Sequence, residues 1–189
     1  MVKNWNTTKL ITVGSFGVLR VLIWLPFTLL VSTKANPFLL LFSFLFFSFI
    51  SVLSLLIIRQ FGTMTIQTFV EYCIELPLPS FAIKLLDFSM ALIRSFLVDI
   101  IFHFTKSKEK LTSIISGGAN SIILSLFYYV VYFILGIPGI EQVSAEFFTP
   151  IVVLGLLITV FIVGAIGGYF GYIVYNKIKN TAVVKRIQR

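Results

Sequence analysis

Thr63, Gln67, Glu71 and Glu75 recur at four-residue intervals, a spacing that sets them in one polar stripe along a helix. Two carboxylates one turn apart repel each other unless a cation or a proton intervenes. Downstream, Lys84, Asp87 and Arg94 share a helical face at spacings of three and seven, and Asp99 and His103 lie four apart. Such a set can bind a small polar ligand, the carboxylates taking a cationic or amino-bearing group and the cations an acidic one. It can equally be self-neutralising, with Glu71 and Glu75 paired to Lys84 or Arg94 to fix helix register. Arg20, the one upstream charge deep in an apolar run, is expected either to pair with Asp99 or to snorkel, and pairing is preferred. Hydrolysis through Glu71, Glu75 and His103 is a second chemistry. The chain has no G-x-S-x-G and no H-E-x-x-H to support it, and a topology with His103 near the inner face and the glutamates in the outer half sets them about 15 Å or more apart. A third alternative is a non-catalytic scaffold or channel subunit whose polar stripes only lock helices together.

These residues must be held by a membrane-embedded scaffold. Hydrophobic residues make up 58% of the 189 and charged ones 12%, against about half and a quarter in an ordinary soluble domain. Apolar runs of about 20 residues, the length that crosses a bilayer, recur along the chain. The expected fold is all-α, a single integral membrane domain of six transmembrane helices over about 8–30, 37–58, 63–76, 81–104, 111–135 and 149–175. Eleven of the fifteen Lys and Arg fall in the N-terminus, at Arg59, in "TKSKEK" and in the tail. By the positive-inside rule those segments share the cytoplasmic side, which places both termini there. Trp5 and Trp24 then mark opposite interfaces. Glu75 should lie near the outer surface with Glu71 one turn, about 5.4 Å, deeper, so that the stripe forms the wall of a pocket opening outward. Trp24, Tyr128 and Tyr132 are candidates to line it, as are Glu141 and Gln142 in the outer loop "GIPGIEQVSAEFF". For any one tyrosine, ordinary packing at the interface is the competing assignment. Asn120, deeper in the fifth helix, reads as a helix–helix hydrogen-bonding group.

"GAIGGYFGYI" places Gly164, Gly167, Gly168 and Gly171 in two overlapping G-x-x-x-G pairs. With Ile166, Tyr169 and Phe170 beside them they suit close helix packing, not a phosphate-cradling loop.

Several classes are set aside. The net charge of +8 comes from cytoplasmic loops without an aromatic-interleaved basic surface, so nucleic acid is not an expected partner. Cys73 alone forms no internal disulfide or metal site and reads as a small buried hydrophobe. There is no Walker loop, and neither a cofactor nor a metal is expected. The N-terminal apolar run carries Arg20 and lacks a small-residue cleavage site, so it reads as a retained span.

Four stretches in order carry a family resemblance: "KNWNTTKLITVGSFGVLRVLIW", "IIRQFGTMTIQTFVEYCIEL", "ALIRSFLVDIIFHF" and "GLLITVFIVGAIGGYFGYIVYNKIKN". Together they span nearly the whole chain and resemble the substrate-binding S component of energy-coupling factor (ECF) vitamin transporters. The third-helix stretch is most like the hydroxymethylpyrimidine/thiamine-type members. The resemblance implies a six-helix protein in a prokaryotic cytoplasmic membrane that captures a vitamin or vitamin precursor from outside. Uptake would then need a transmembrane T subunit and two ATPase subunits. A carboxylate pair suits an aminopyrimidine-bearing thiamine precursor, while Lys84 and Arg94 suit a carboxylate-bearing vitamin. Family docking would fall on the small residues of the first helix, Gly14, Ser15 and Gly17, whose spacing departs from the family's A-x-x-x-A face.

Overall fold

The computed structural model describes residues 5–31, 37–75, 81–135 and 150–188, without the side chains of 24–31, 37–40, 81–84, 128 and 131–135. Among the described residues every regular element is a helix: α1 (Thr7–Val31), α2 (Pro37–Ile58), α3 (Thr63–Glu75), α4 (Phe81–Thr105), α5 (Glu109–Leu135), α6 (Pro150–Ile178) and α7 (Ala182–Gln188).

Local chemistry sets the helix ends. Asn6 caps α1, its Oδ1 accepting the Lys9 N–H at 2.8 Å and satisfying one of the donors a helix start leaves unbonded. Helix α2 stops where Arg59 enters the left-handed region at φ 55°, its N–H still bonded to the Leu55 carbonyl at 2.8 Å. Gly62, at φ 87°, completes the turn in a conformation that a Cβ would strain. Helix α7 lies in the basic tail, where the sequence reading expected no further element. Thr181 opens it, accepting the Val184 N–H at its hydroxyl at 3.5 Å. Val184 and Ile187 then join the buried cluster that includes Leu55, Leu56, Ile57 and Tyr175. At its end, Gln188 donates to the Leu56 carbonyl at 3.2 Å and the Tyr175 hydroxyl at 3.3 Å.

Among the described residues, three helices are long and apolar enough to cross a membrane: α2 over Leu41–Ile58, α5 over Glu109–Phe127, and α6 along its whole length. Ile151, Leu154, Ile158 and Ile162 leave much of α6 an exposed apolar surface, which water would penalise and lipid would cover. Helices α1, α3 and α4 carry the interior charges Arg20, Glu71, Arg94 and Asp99.

Helix α2 touches α1, α3, α5, α6 and α7, while α6 packs chiefly on α5 and α2. Two glycine seams explain that closeness. A Cβ at Gly164 would strike Ser121 and the Gly117 carbonyl of α5, and one at Gly168 would strike the Ser113 carbonyl. On the other seam, a Cβ at Gly167 would strike the Leu45 carbonyl of α2, and one at Gly171 would stand 3.0 Å from the Phe49 carbonyl. The interleaved pairs therefore serve different neighbours, each letting helix backbones meet. Ser48 of α2 adds polar contacts across to α5, donating to the Gly117 carbonyl at 3.0 Å and meeting the Ser121 hydroxyl at 2.8 Å.

The basic segments gather at one end of the bundle. Arg59 pairs with Glu109 at 3.0 Å and donates to the Lys106 carbonyl at 3.5 Å, and α7 packs beneath the end of α2. The α2–α3 turn, the α4–α5 turn and the C-terminal helix are therefore neighbours.

Candidate functional site

At the end of α2, Ser54 reaches into a polar interior whose other walls are α1, α3 and α4. The polar stripe of α3 turns inward. Thr63, Gln67 and Glu71 are buried together with Thr68 and Tyr72 from the adjacent register, while Glu75 at the far end is half-buried. The apolar side faces out, so Cys73 is exposed and not the buried hydrophobe expected of it.

Glu71 meets Arg20 of α1, with Nη2 and Oε2 3.1 Å apart and both side chains nearly solvent-free. The contact is close but poorly directed for a hydrogen bond, so charge rather than alignment holds it. Arg20 also donates from Nη1 to the Thr68 hydroxyl at 3.3 Å and stands 4.8 Å over the Phe47 ring of α2. Thr68 continues the chain to Ser95 of α4 at 2.7 Å. One level lower, Ser54 donates to the Gln67 Oε1 at 2.6 Å. Towards the end opposite the basic turns, the Tyr72 hydroxyl donates to Asp87 at 2.7 Å.

Asp99 has a different task from the one expected. Its Oδ1 accepts the Met64 N–H at 3.0 Å, and its Oδ2 accepts the Thr65 N–H at 3.0 Å and the Thr65 hydroxyl at 2.8 Å. It therefore caps α3 from another helix, favourably placed at the positive end of the helix dipole. Three donors satisfy it, leaving Arg20 to Glu71 one to two turns further along α3.

Arg94 is also buried and lies within electrostatic range of both Arg20 and Glu71. Its Nε reaches no hydrogen-bond acceptor among the described residues. Asp87 acts electrostatically on Glu71, and Glu75 on Arg20. Two guanidiniums and three carboxylates thus form one coupled group across α1, α3 and α4. Chemically it can exchange internal partners for those of a polar ligand, because charges of both signs already lie within reach of one another.

Of the residues named from sequence, Glu71, Glu75 and Asp87 belong to this group. The side chains of Trp24, Lys84, Tyr128 and Tyr132 are outside what the structure describes, and Glu141 and Gln142 lie outside the described residues. Gly17 is taken up within the bundle, where a Cβ would meet the Gln67 carbonyl at 2.8 Å, whereas Gly14 faces open space and Ser15 is exposed. His103 is exposed at the basic end, packed edge-on to Phe61 and near Lys106, so it does not join Glu71 and Glu75. The described residues contain no group of three or more His, Cys, Asp and Glu placed to hold a metal. The role of Thr68 and Ser95 as relays was missed from sequence. The signal available was their small hydroxyls directly beside Gln67 and Arg94 in the two helices that carry the polar stripe and the charged face.

Comparison with known protein families, with curated proteins and with solved structures gives no match.

Proposed function

We propose that the chain is a membrane-embedded small-molecule-binding subunit, the S component of an ECF-type vitamin transporter, with its ligand held at the far end of the α1–α3–α4 charge group. The observation that carries this reading is Arg94, a buried guanidinium whose Nε finds no acceptor among the described residues. A buried charge needs hydrogen-bonded company, and an anionic group on a ligand supplies it. Glu75 and Asp87 offer carboxylates for an amino or cationic group on the same molecule. Six membrane crossings, with both termini and the basic turns in the cytoplasm, fit the collection of Arg59, Lys106, Lys108 and Lys110 at one end under the positive-inside rule. The ligand then enters from outside, and its release inward requires a T subunit and two ATPase subunits.

The test is a vitamin panel, including thiamine precursors and carboxylate-bearing vitamins, titrated into the purified chain and read by calorimetry. Submicromolar binding of one class is expected, weakened roughly tenfold or more by Arg94→Gln, the loss of a charged hydrogen bond. No binding across the panel overturns the proposal.

A scaffold role is the second reading, favoured by the solvent-free Arg20–Glu71 contact. On that reading Arg94→Gln alters thermal stability and the panel shows no ligand.

A further inference from the structure

At the basic end an open hollow of about 610 Å³ lies between the α2–α3 turn, the α4–α5 turn and α6. Arg59, Lys106, Lys108 and Lys110 line it, and Tyr172 and Ile114 form its apolar side. Its acidic group, Glu109, is already engaged by Arg59 at 3.0 Å, which leaves three ammonium groups around the space. Lys106 Nζ stands 3.4 Å from His103 Nδ1, and Lys110 Nζ 5.4 Å from the Tyr169 ring centroid. Neither neighbour carries a carboxylate.

We propose that this hollow binds a phosphate group, supplied in the membrane by the headgroup of an anionic lipid. Lysine ammoniums are compact point charges suited to phosphate oxygens. A basic pocket between membrane helices on the cytoplasmic side is where such headgroups are held. Exposed Leu111 borders the hollow, an apolar contact for the start of an acyl chain running back to the bilayer. The site is separate from the α1–α3–α4 charge group and does not depend on its ligand.

The test is thermal unfolding of the purified full chain in a neutral detergent. Dioctanoyl phosphatidylglycerol, dioctanoyl phosphatidylcholine and inorganic phosphate are titrated separately. A saturable rise in melting temperature is expected with phosphatidylglycerol and none with phosphatidylcholine. Lys106→Gln/Lys108→Gln/Lys110→Gln should weaken the apparent affinity roughly tenfold or more, while Lys177→Gln/Lys179→Gln should leave it unchanged. If the triple variant does not fold, Lys106→Gln/Lys108→Gln carries the test, with a loss of roughly threefold or more expected. A greater response to the lipid than to inorganic phosphate assigns the headgroup, whereas equal responses assign a free phosphate to the same site. An undiminished response in the lysine variants, an equal loss in the Lys177/Lys179 control, or an equal response to phosphatidylcholine overturns the proposal.

Discussion

Arg20 and Glu71 approach to 3.1 Å from neighbouring helices, with side-chain exposures of 0% and 5%. A buried ion pair adds little net stability compared with apolar residues of the same volume, yet removing one member strands the other charge. Glu71→Gln is therefore expected to cost about 3 kcal/mol or more, since Arg20 would keep Thr68, the Phe47 face and the weaker attraction of Glu75. The double variant Arg20→Met/Glu71→Leu should recover most of that loss. Melting of the detergent-purified variants measures both, and a double variant as unstable as the single one would count against the assignment.

Asp99 is expected to act on α3, not on its own helix. Asp99→Ala leaves the Met64 and Thr65 N–H groups without their side-chain acceptors, at a cost of about 1–2 kcal/mol. Hydrogen exchange should accelerate at those two amides first. Acceleration confined to α4 would contradict the cap.

The seams of α6 make a position-by-position forecast. Gly168→Ala and Gly167→Ala each drive a methyl group into a carbonyl of a facing helix, and each should destabilise by about 1–3 kcal/mol. Gly155, where a Cβ meets nothing within 4 Å, should behave oppositely. Gly155→Ala is expected to be neutral or to stabilise by up to about 1 kcal/mol through helix propensity. Equal effects at all three positions would mean that α6 is not seated as described.

The Arg59–Glu109 pair, 37% and 27% exposed, belongs to another regime. Glu109→Gln should change stability by less than about 1 kcal/mol, and added salt should shrink the difference further. A larger, salt-independent loss would indicate that the turn depends on this contact.

Apolar run length and proline placement made the helices legible: α2 begins at Pro37 and ends at Ile58, where the sequence turns to "RQFG". The four-residue stripe likewise announced which face of α3 carries polar groups. Depth between helices was not legible. Spacing along one helix gives no register against another, so from sequence Asp99 is the expected partner of Arg20, and Lys84 or Arg94 that of Glu71. What decides the pairing is the start of α3, whose two N–H groups and one hydroxyl satisfy Asp99. The glycines announced close packing, but their division between α5 and α2 depends on which helices flank α6. Helix α7 escaped notice because seven residues give too short a pattern, and its buried Val184 and Ile187 gain meaning only against the end of α2.

The glycine seams also determine where the molecule can yield. Splined on two sides, backbone against backbone, α6 cannot slide or roll without jamming a carbonyl into its neighbour. The opposite flank is joined through side chains that can trade partners, such as Thr68 between Arg20 and Ser95. Any rearrangement between alternative states would therefore shift α1, α3 and α4 over a stiff chassis of α2, α5 and α6.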